Sequence, residues 1–238
     1  MVGSMRGFCA FVLALTLGAG TAAAFEPPDP CYDPERPWPV YCEPIEQGTV
    51  GHGEAQASYQ LYGFYEDLAG DDRPPQWVFD YGPPYRTSAI RLYDAAGELL
   101  LRIEHDVGLA WIERPEIVDT EAGRLLVVRI GYTGTGANWD YRVFRADAGR
   151  WTAIAASPWG DAGTGWPGWG ADITQRLPPD AGVWKGVAVD FATMTATTAL
   201  WLADDANCCP TGGEADLRFA ILDGRLRVVD VTLRQAPE

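Results

Sequence analysis

The sequence predicts an all-β protein, built as an antiparallel β-sandwich or a distorted barrel with a proline-rich arm at its N-terminus. From about residue 57 onward, short β-type runs alternate with turn signals, and about ten such runs follow one another. Helical patterns are scarce, and strands without helices pack as sandwiches or barrels. A small or incomplete β-propeller is the alternative, because three predicted hairpins each resemble half of a propeller blade.

The first 24 residues have the pattern of a cleaved export signal. Arg6 precedes an apolar run (8–17), and small residues follow, with Ala22 and Ala24 at the spacing of a cleavage site. We therefore predict a signal peptide over residues 1–24. The mature protein is expected to be periplasmic or secreted, with no part inserted in the membrane.

Residues 25–56 form the predicted arm. The stretch FEPPDPCYDPERPWPVYCEPIEQ (25–47) is dense in proline, which fixes φ and removes a backbone donor. Such a segment is expected to be extended and to stay out of the interior of a sheet. The remaining residues, 57–238, make up the predicted all-β domain.

Three β-hairpins are predicted in this domain, each centred on a short turn signal. They span residues 88–106, 140–154 and 216–233. The third turns at Asp223-Gly224, which is among the strongest short hairpin signals. In its outgoing strand the apolar residues change phase between Val228 and Val229, which predicts a β-bulge there.

Two further strands and one helical turn complete the predicted elements. GRLLVVRIGY (123–132) is apolar enough to be a central strand, and the threonine-rich TMTATTALWLAD (193–204) is typical of a strand. ADITQRL (171–177) predicts about one turn of helix, capped by Asp172 and stopped by Pro178.

The chain is acidic, with a formal net charge of −15. Such a surface repels phosphate groups, which disfavours partners such as nucleic acid and anionic membranes. Its 2 histidines are too few for a usual zinc site or a histidine-dependent nucleophile, and no G-x-S-x-G motif occurs. We expect no metal and no cofactor, and we identify no catalytic residue.

Two glycine-rich loops carry a high density of aromatic residues, SPWGDAGTGWPGWGAD (157–172) and GYTGTGANWDY (131–141). An exposed apolar surface of this kind usually marks a binding site. We therefore predict a platform for a glycan or for a hydrophobic segment of an envelope protein. The predicted platform consists of Tyr132, Trp139, Tyr141, Trp159, Trp166 and Trp169. The alternative is that the tryptophans fold inward and cap the core.

Four cysteines remain after removal of the predicted signal: Cys31, Cys42, Cys208 and Cys209. In an exported chain an even number indicates disulfides. Pro210 favours an extended backbone at Cys209, and adjacent Cα atoms lie about 3.8 Å apart, which is below the usual range for a bridge. We therefore expect each of the adjacent pair to bond to Cys31 or Cys42. Bridges within each pair are the alternative, and free thiols or metal or redox use is a third.

The stretch DDANCCPTGGEADLRFAILDGRLRVVD (204–230) resembles the C-terminal block of the LppP/LprE family of exported mycobacterial lipoproteins. The shared motif is Asp-Ala-Asn-Cys-Cys-Pro followed by Gly212 and Gly213, with Thr211 where serine is common. The chain lacks the lipobox cysteine of that family. The resemblance implies a bacterial envelope location and a structural cysteine motif, but neither a lipid anchor nor an activity.

The leading functional hypothesis is a non-catalytic binding or interaction module of the cell envelope that uses the tryptophan-rich loops. A glycan hydrolase that uses two of the many carboxylates is the second hypothesis. A purely structural envelope protein is the third. Exposure of Trp166 and Trp169 would support binding, whereas their burial would favour the structural role.

Overall fold

A computed structural model of the chain describes residues 40–66, 87–104, 110–132, 138–160, 165–183 and 185–234. The predicted signal peptide, the first part of the predicted arm (25–39) and Cys31 lie outside the described residues. Within the described ranges, no helix is both long enough and apolar enough to cross a membrane.

Antiparallel β-sheet accounts for nearly all of the regular structure, which confirms the predicted all-β class. The strands are β1 (Val40–Val50), β2 (Ala57–Glu66), β3 (Ala89–Asp94), β4 (Leu99–Glu104), β5 (Ala110–Ile112), β6 (Glu116–Thr120), β7 (Gly123–Tyr132), β8 (Asn138–Asp147), β9 (Arg150–Ile154), β10 (Ala181–Gly182), β11 (Thr195–Ala199), β12 (Trp201–Leu202), β13 (Glu214–Leu222) and β14 (Arg225–Arg234). A 3-10 turn (Gly53–Ala55) and a short helix, α1 (Trp169–Thr174), complete the described elements.

The strands form three main sheets that stack on one another, with two hydrophobic cores between them. The first sheet is β1 to β4 in chain order, and the third has the order β11-β13-β14. The second, central sheet has β7 paired with β5, β6 and β8, and β8 paired with β9. Strands β10 and β12 form a small ribbon of their own. The predicted sandwich is therefore a stack of three layers rather than two.

Strand β7 is buried on both faces because it lies in the middle layer. Leu126 and Val128 pack into the core against the first sheet, while Leu125 and Val127 pack into the core against the third. All four side chains are fully buried, which stabilises the fold by about 1.5–3 kcal/mol for each of them. The predicted central strand over 123–132 is confirmed, and its unbroken apolar run reflects burial on both sides.

The predicted hairpins are also found. In the third, Asp223 and Gly224 have positive φ angles of 50° and 70°, as a tight turn between twisted strands requires. The pairing register then shifts, so that Arg218 pairs with Asp230 while Phe219 pairs with Val228. Val229 is thus the extra residue of a β-bulge, at the predicted position.

The second half of the predicted arm contains β1, which among the described strands pairs with β2 alone and so forms the edge of the first sheet. Its register shifts between Pro44 and Glu46, so the proline lies where the ladder is already interrupted. Glu46 accepts hydrogen bonds from Tyr59 and Arg114, and the Arg114 bond is 2.9 Å long. Those bonds hold the pKa of Glu46 below its usual range and attach the edge strand to the loop between β5 and β6.

Helix α1 begins two residues earlier than expected and ends at Thr174. Gly168, with φ of 84°, occupies the N-cap position, so the expectation that Asp172 caps this helix is wrong. Asp172 lies in the first turn instead, where its carboxylate is directed at Arg227 of β14. The helix is held against the third sheet by this pair. At its N-terminal end the amide of Gly170 donates to the Pro158 carbonyl at 3.2 Å, in the glycine-rich segment 157–160 and 165–168 that we call the aromatic loop.

Candidate functional site

Three members of the predicted platform are core residues. Tyr141, Trp166 and Trp169 are only 1%, 6% and 2% exposed and belong to the core between the second and third sheets. Trp169 packs edge-to-face on Phe219 at 5.4 Å between ring centroids, and its Nε1–H donates to the carbonyl of Ala156 at 2.7 Å. The expectation that these three side chains form an exposed platform is wrong, because Tyr141 on β8, Trp166 before α1 and Trp169 on α1 all pack into this core.

Tyr141 has a structural role that its buried position explains. Its hydroxyl donates to the carbonyl oxygen of Val187 at 2.8 Å and accepts from the amide of Val189 at 2.9 Å. Burial is the main cause that raises the pKa of Tyr141 to about 12, so the hydroxyl stays protonated and can donate. This tether holds the segment after Lys185 against the central sheet.

Trp159, in contrast, is 65% exposed, the largest value among the large apolar side chains of the described residues. The loop that carries it closes on itself through two glycines, Gly160 and Gly168, both with φ of 84°. A Cβ atom at Gly168 would lie 2.3 Å from the Gly160 nitrogen and 2.3 Å from the Pro158 oxygen. The close backbone approach places Trp159 on the outer side of the loop.

Trp139 and Tyr132 lie on opposite faces of the central sheet, so the structure separates these two predicted platform residues. Trp139 packs against the core toward the third sheet and Tyr132 against the other core. Trp139 also meets Trp111 edge-to-face, with ring centroids 5.6 Å apart. Gly131 allows this contact, since a Cβ atom there would lie 2.2 Å from the Trp111 ring. Burial raises the pKa of Tyr132.

Trp139 and Trp159 line a cleft of about 300 Å³ between the aromatic loop, α1 and the segment 183–187. Apolar side chains, including Ile173 and Val183, form most of its wall. Thr174 contributes a hydroxyl, and Lys185 is the only charged residue among the described residues of the lining. We name this hollow the Trp159 cleft. Its lining includes three of the six predicted platform residues: the exposed Trp159, the partly buried Trp139 and the buried Trp169.

Lys185 was missed by the sequence analysis, although a signal for it existed. It is the single lysine of the chain, and it follows Trp184 directly. Its Nζ lies 5.7 Å from the centre of the Trp201 ring. Within the part of the chain that the structure describes, no carboxylate forms an ion pair with Lys185.

The two adjacent cysteines are bonded to each other, with their Cα atoms 3.8 Å apart. The expectation that Cys208 and Cys209 bond to Cys31 and Cys42 is therefore wrong. The backbone there is a turn rather than an extended chain, because the amide of Cys209 donates to the Ala206 carbonyl at 2.9 Å. Alternation of side chains across an extended strand does not apply in a turn.

Asp205 organises the loop around this disulfide. Its carboxylate accepts from the amide of Leu202 at 2.7 Å, from the amide of Thr211 at 2.8 Å and from the Thr211 hydroxyl at 2.6 Å. The Thr211 bonds are the main cause that holds the pKa of Asp205 below its usual range. In the described ranges, no group of three histidine, cysteine, aspartate or glutamate side chains is arranged to hold a metal ion.

No protein-family model matches the chain, and no curated protein matches it significantly. The resemblance of residues 204–230 to the LppP/LprE block stays a prediction from that motif.

Proposed function

We propose that the protein is a non-catalytic sugar-binding module of the bacterial cell envelope, and that the Trp159 cleft is its binding site. The observation that carries the proposal is the 65% exposure of Trp159 at the edge of an apolar cleft. The envelope location rests on the export-signal pattern of residues 1–24 and on the cysteine motif.

Covering an exposed tryptophan side chain lowers the free energy, because apolar surface is removed from water. A tryptophan side chain buries on the order of 200 Å² when covered, at about 25 cal/mol per Å². With 65% of Trp159 exposed, about 3 kcal/mol of burial is available to whatever covers the ring. Trp166 and Trp169 obtain this gain within the fold, whereas Trp159 can obtain it only from a ligand.

The chemistry of the cleft suits a sugar ring better than a purely apolar ligand. The C–H face of a pyranose stacks on an indole, and its hydroxyl groups need hydrogen-bonding partners at the margin. Thr174 and Lys185 supply such partners, while Ile173 and Val183 contribute apolar wall. A mostly apolar wall with a few polar groups is the usual composition of a small-ligand site.

The hydrolase hypothesis receives no support from the cleft. A glycosidase needs two carboxylates about 5–10 Å apart on either side of the scissile bond. No aspartate or glutamate is among the described residues that line the Trp159 cleft. A second hollow, of about 400 Å³ beside Arg142 and Trp166, likewise has no carboxylate among its described lining residues.

Isothermal titration calorimetry with a panel of β-1,4-linked hexasaccharides, neutral and acidic, tests the proposal. We expect the wild type to bind at least one member, and Trp159→Ala to weaken that binding at least about tenfold, because a central aromatic contact contributes more than about 1 kcal/mol. Leu99→Ala is the matched control: Leu99 is 53% exposed, lies in the first sheet and does not line the cleft.

A wild type that binds no member of the panel would overturn the proposal and leave the structural hypothesis. Equal losses in Trp159→Ala and Leu99→Ala would also overturn it, since the loss would then be unrelated to the cleft. Shortened products in the titrated samples would establish the hydrolase in place of the binding module.

A further inference from the structure

The charge of the Trp159 cleft differs from that of the rest of the molecule. The chain carries a formal net charge of −15, with 33 acidic residues against 18 basic ones. Among the described residues that line the cleft, none is acidic and Lys185 is the only basic one. The described lining of this cleft thus carries a charge opposite in sign to the net charge of the chain.

The ammonium group of Lys185 has no carboxylate partner among the residues that the structure describes. Its Nζ lies 5.7 Å from the ring centre of Trp201, which is only 3% exposed and is therefore a fixed support. A ring face attracts a cation through its quadrupole but leaves the full positive charge in place. Arg227, in contrast, pairs with the carboxylate of Asp172 at 2.6 Å. The charge of Lys185 thus stays available to an anion from outside.

We propose that the ligand of the Trp159 cleft is an acidic sugar whose carboxylate pairs with Lys185 while its ring covers Trp159. This inference rests on the proposed function and adds the substrate class. A carboxylate fits better than a phosphate, because one ammonium group neutralises one negative charge. A phosphate carries up to two charges and is usually bound by several donors or by the planar fork of arginine.

Two matched ligands isolate the carboxylate. The β-1,4-linked hexamers of glucose and of glucuronic acid share ring and linkage, and they differ in the carboxylate at C6. We expect the wild type to bind the glucuronic acid hexamer about fivefold more tightly, as one partly exposed ion pair allows. Raising the salt concentration from about 50 mM to about 500 mM should reduce this preference, because screening weakens exposed ion pairs.

Three variants connect the preference to Lys185. Lys185→Gln removes the charge but keeps a polar side chain, and it should abolish the preference for the acidic hexamer. Lys185→Arg keeps the charge and should keep the preference. Arg150→Gln removes an exposed cation of β9 that does not line the cleft, so it controls for the change in net charge.

The outcomes separate this inference from the proposed function. A wild type that binds the glucose hexamer as tightly as the acidic one overturns the acidic ligand and leaves the sugar-binding module standing. A preference that survives in Lys185→Gln, or that is lost equally in Arg150→Gln, also overturns the role of Lys185. Binding of neither hexamer, nor of any other sugar in the panel, removes both proposals together.

Discussion

The substitution Asp172→Asn tests how α1 is held against β14. The structure allows the expected loss in free energy of unfolding to be worked out. The carboxylate is 6% exposed and accepts from Arg227 at 2.7 and 2.6 Å and from the amide of Val228 at 3.2 Å. An asparagine keeps one acceptor oxygen, but it directs an NH₂ group at a guanidinium donor. Hydrogen bonds to charged groups contribute about 1.5–3 kcal/mol each. Since the 40% exposed Arg227 can partly rehydrate, we expect a loss of about 2–3 kcal/mol.

Urea unfolding followed by circular dichroism measures this loss as a shift of the midpoint at unchanged slope. Asp119→Asn is the matched control, because Asp119 pairs with Arg124 through the same two nitrogens at 2.7 and 3.3 Å. Asp119 is 72% exposed, and an exposed, solvent-screened pair contributes little to stability. Equal losses in the two variants would refute the reasoning, since burial would then not distinguish the pairs.

The effect of Asp172→Asn should depend on pH in a defined direction. Burial acts to raise the pKa of Asp172, but hydrogen bonds from Arg227 and the Val228 amide outweigh it and hold the pKa below its usual range. The carboxylate therefore stabilises the fold fully above the unfolded pKa of about 4, and its contribution is lost as the pH falls through the lower folded pKa. The difference between wild type and variant should be constant from about pH 5 to pH 7 and shrink below about pH 4. A difference that grows on acidification would contradict this account.

Replacement of Cys208 and Cys209 by serine should cost only about 1 kcal/mol in urea unfolding, because a bridge between neighbours closes almost no loop; a loss above about 3 kcal/mol would mean that the bridge shapes the fold. Gly168→Ala should destabilise clearly more than Gly224→Ala in the same assay. Both glycines have positive φ, but an added Cβ meets the Pro158 oxygen at 2.3 Å in the first case and nothing within 4 Å in the second. Gly224→Ala should lower the free energy of unfolding by about 1 kcal/mol. Equal losses in the two variants would show that the aromatic loop can open without a loss of stability.

Much of the local structure could be predicted, because short-range rules decide it. The apolar run over 123–132 indicates a strand buried on both faces, and β7 is one. The phase change at Val228 and Val229 indicates a bulge, and the register shows it. Both predictions depend only on the spacing of apolar residues along the chain. Successive side chains of a strand point to opposite faces, so this spacing determines which residues face the core.

The candidate site was predicted only in part, because it depends on contacts between distant segments. Trp159 and Trp169 both stand among glycines and prolines, and nothing local distinguishes them. Asp172 resembles a helix cap until its partner Arg227, 55 residues away, is taken into account. The role of Lys185 depends on its position beside Trp201, which lies on β12 of the small ribbon.

Residue order determined which segments become strands and where they turn, since backbone pleat and turn chemistry act over a few residues. Only the stacking of the three sheets decided which aromatic side chains are buried. The second and third sheets enclose Trp166 and Trp169 between them, while Trp159 remains outside, beside the single lysine. Burial depends on how the sheets pack on one another. The cleft could therefore be identified only from the tertiary structure.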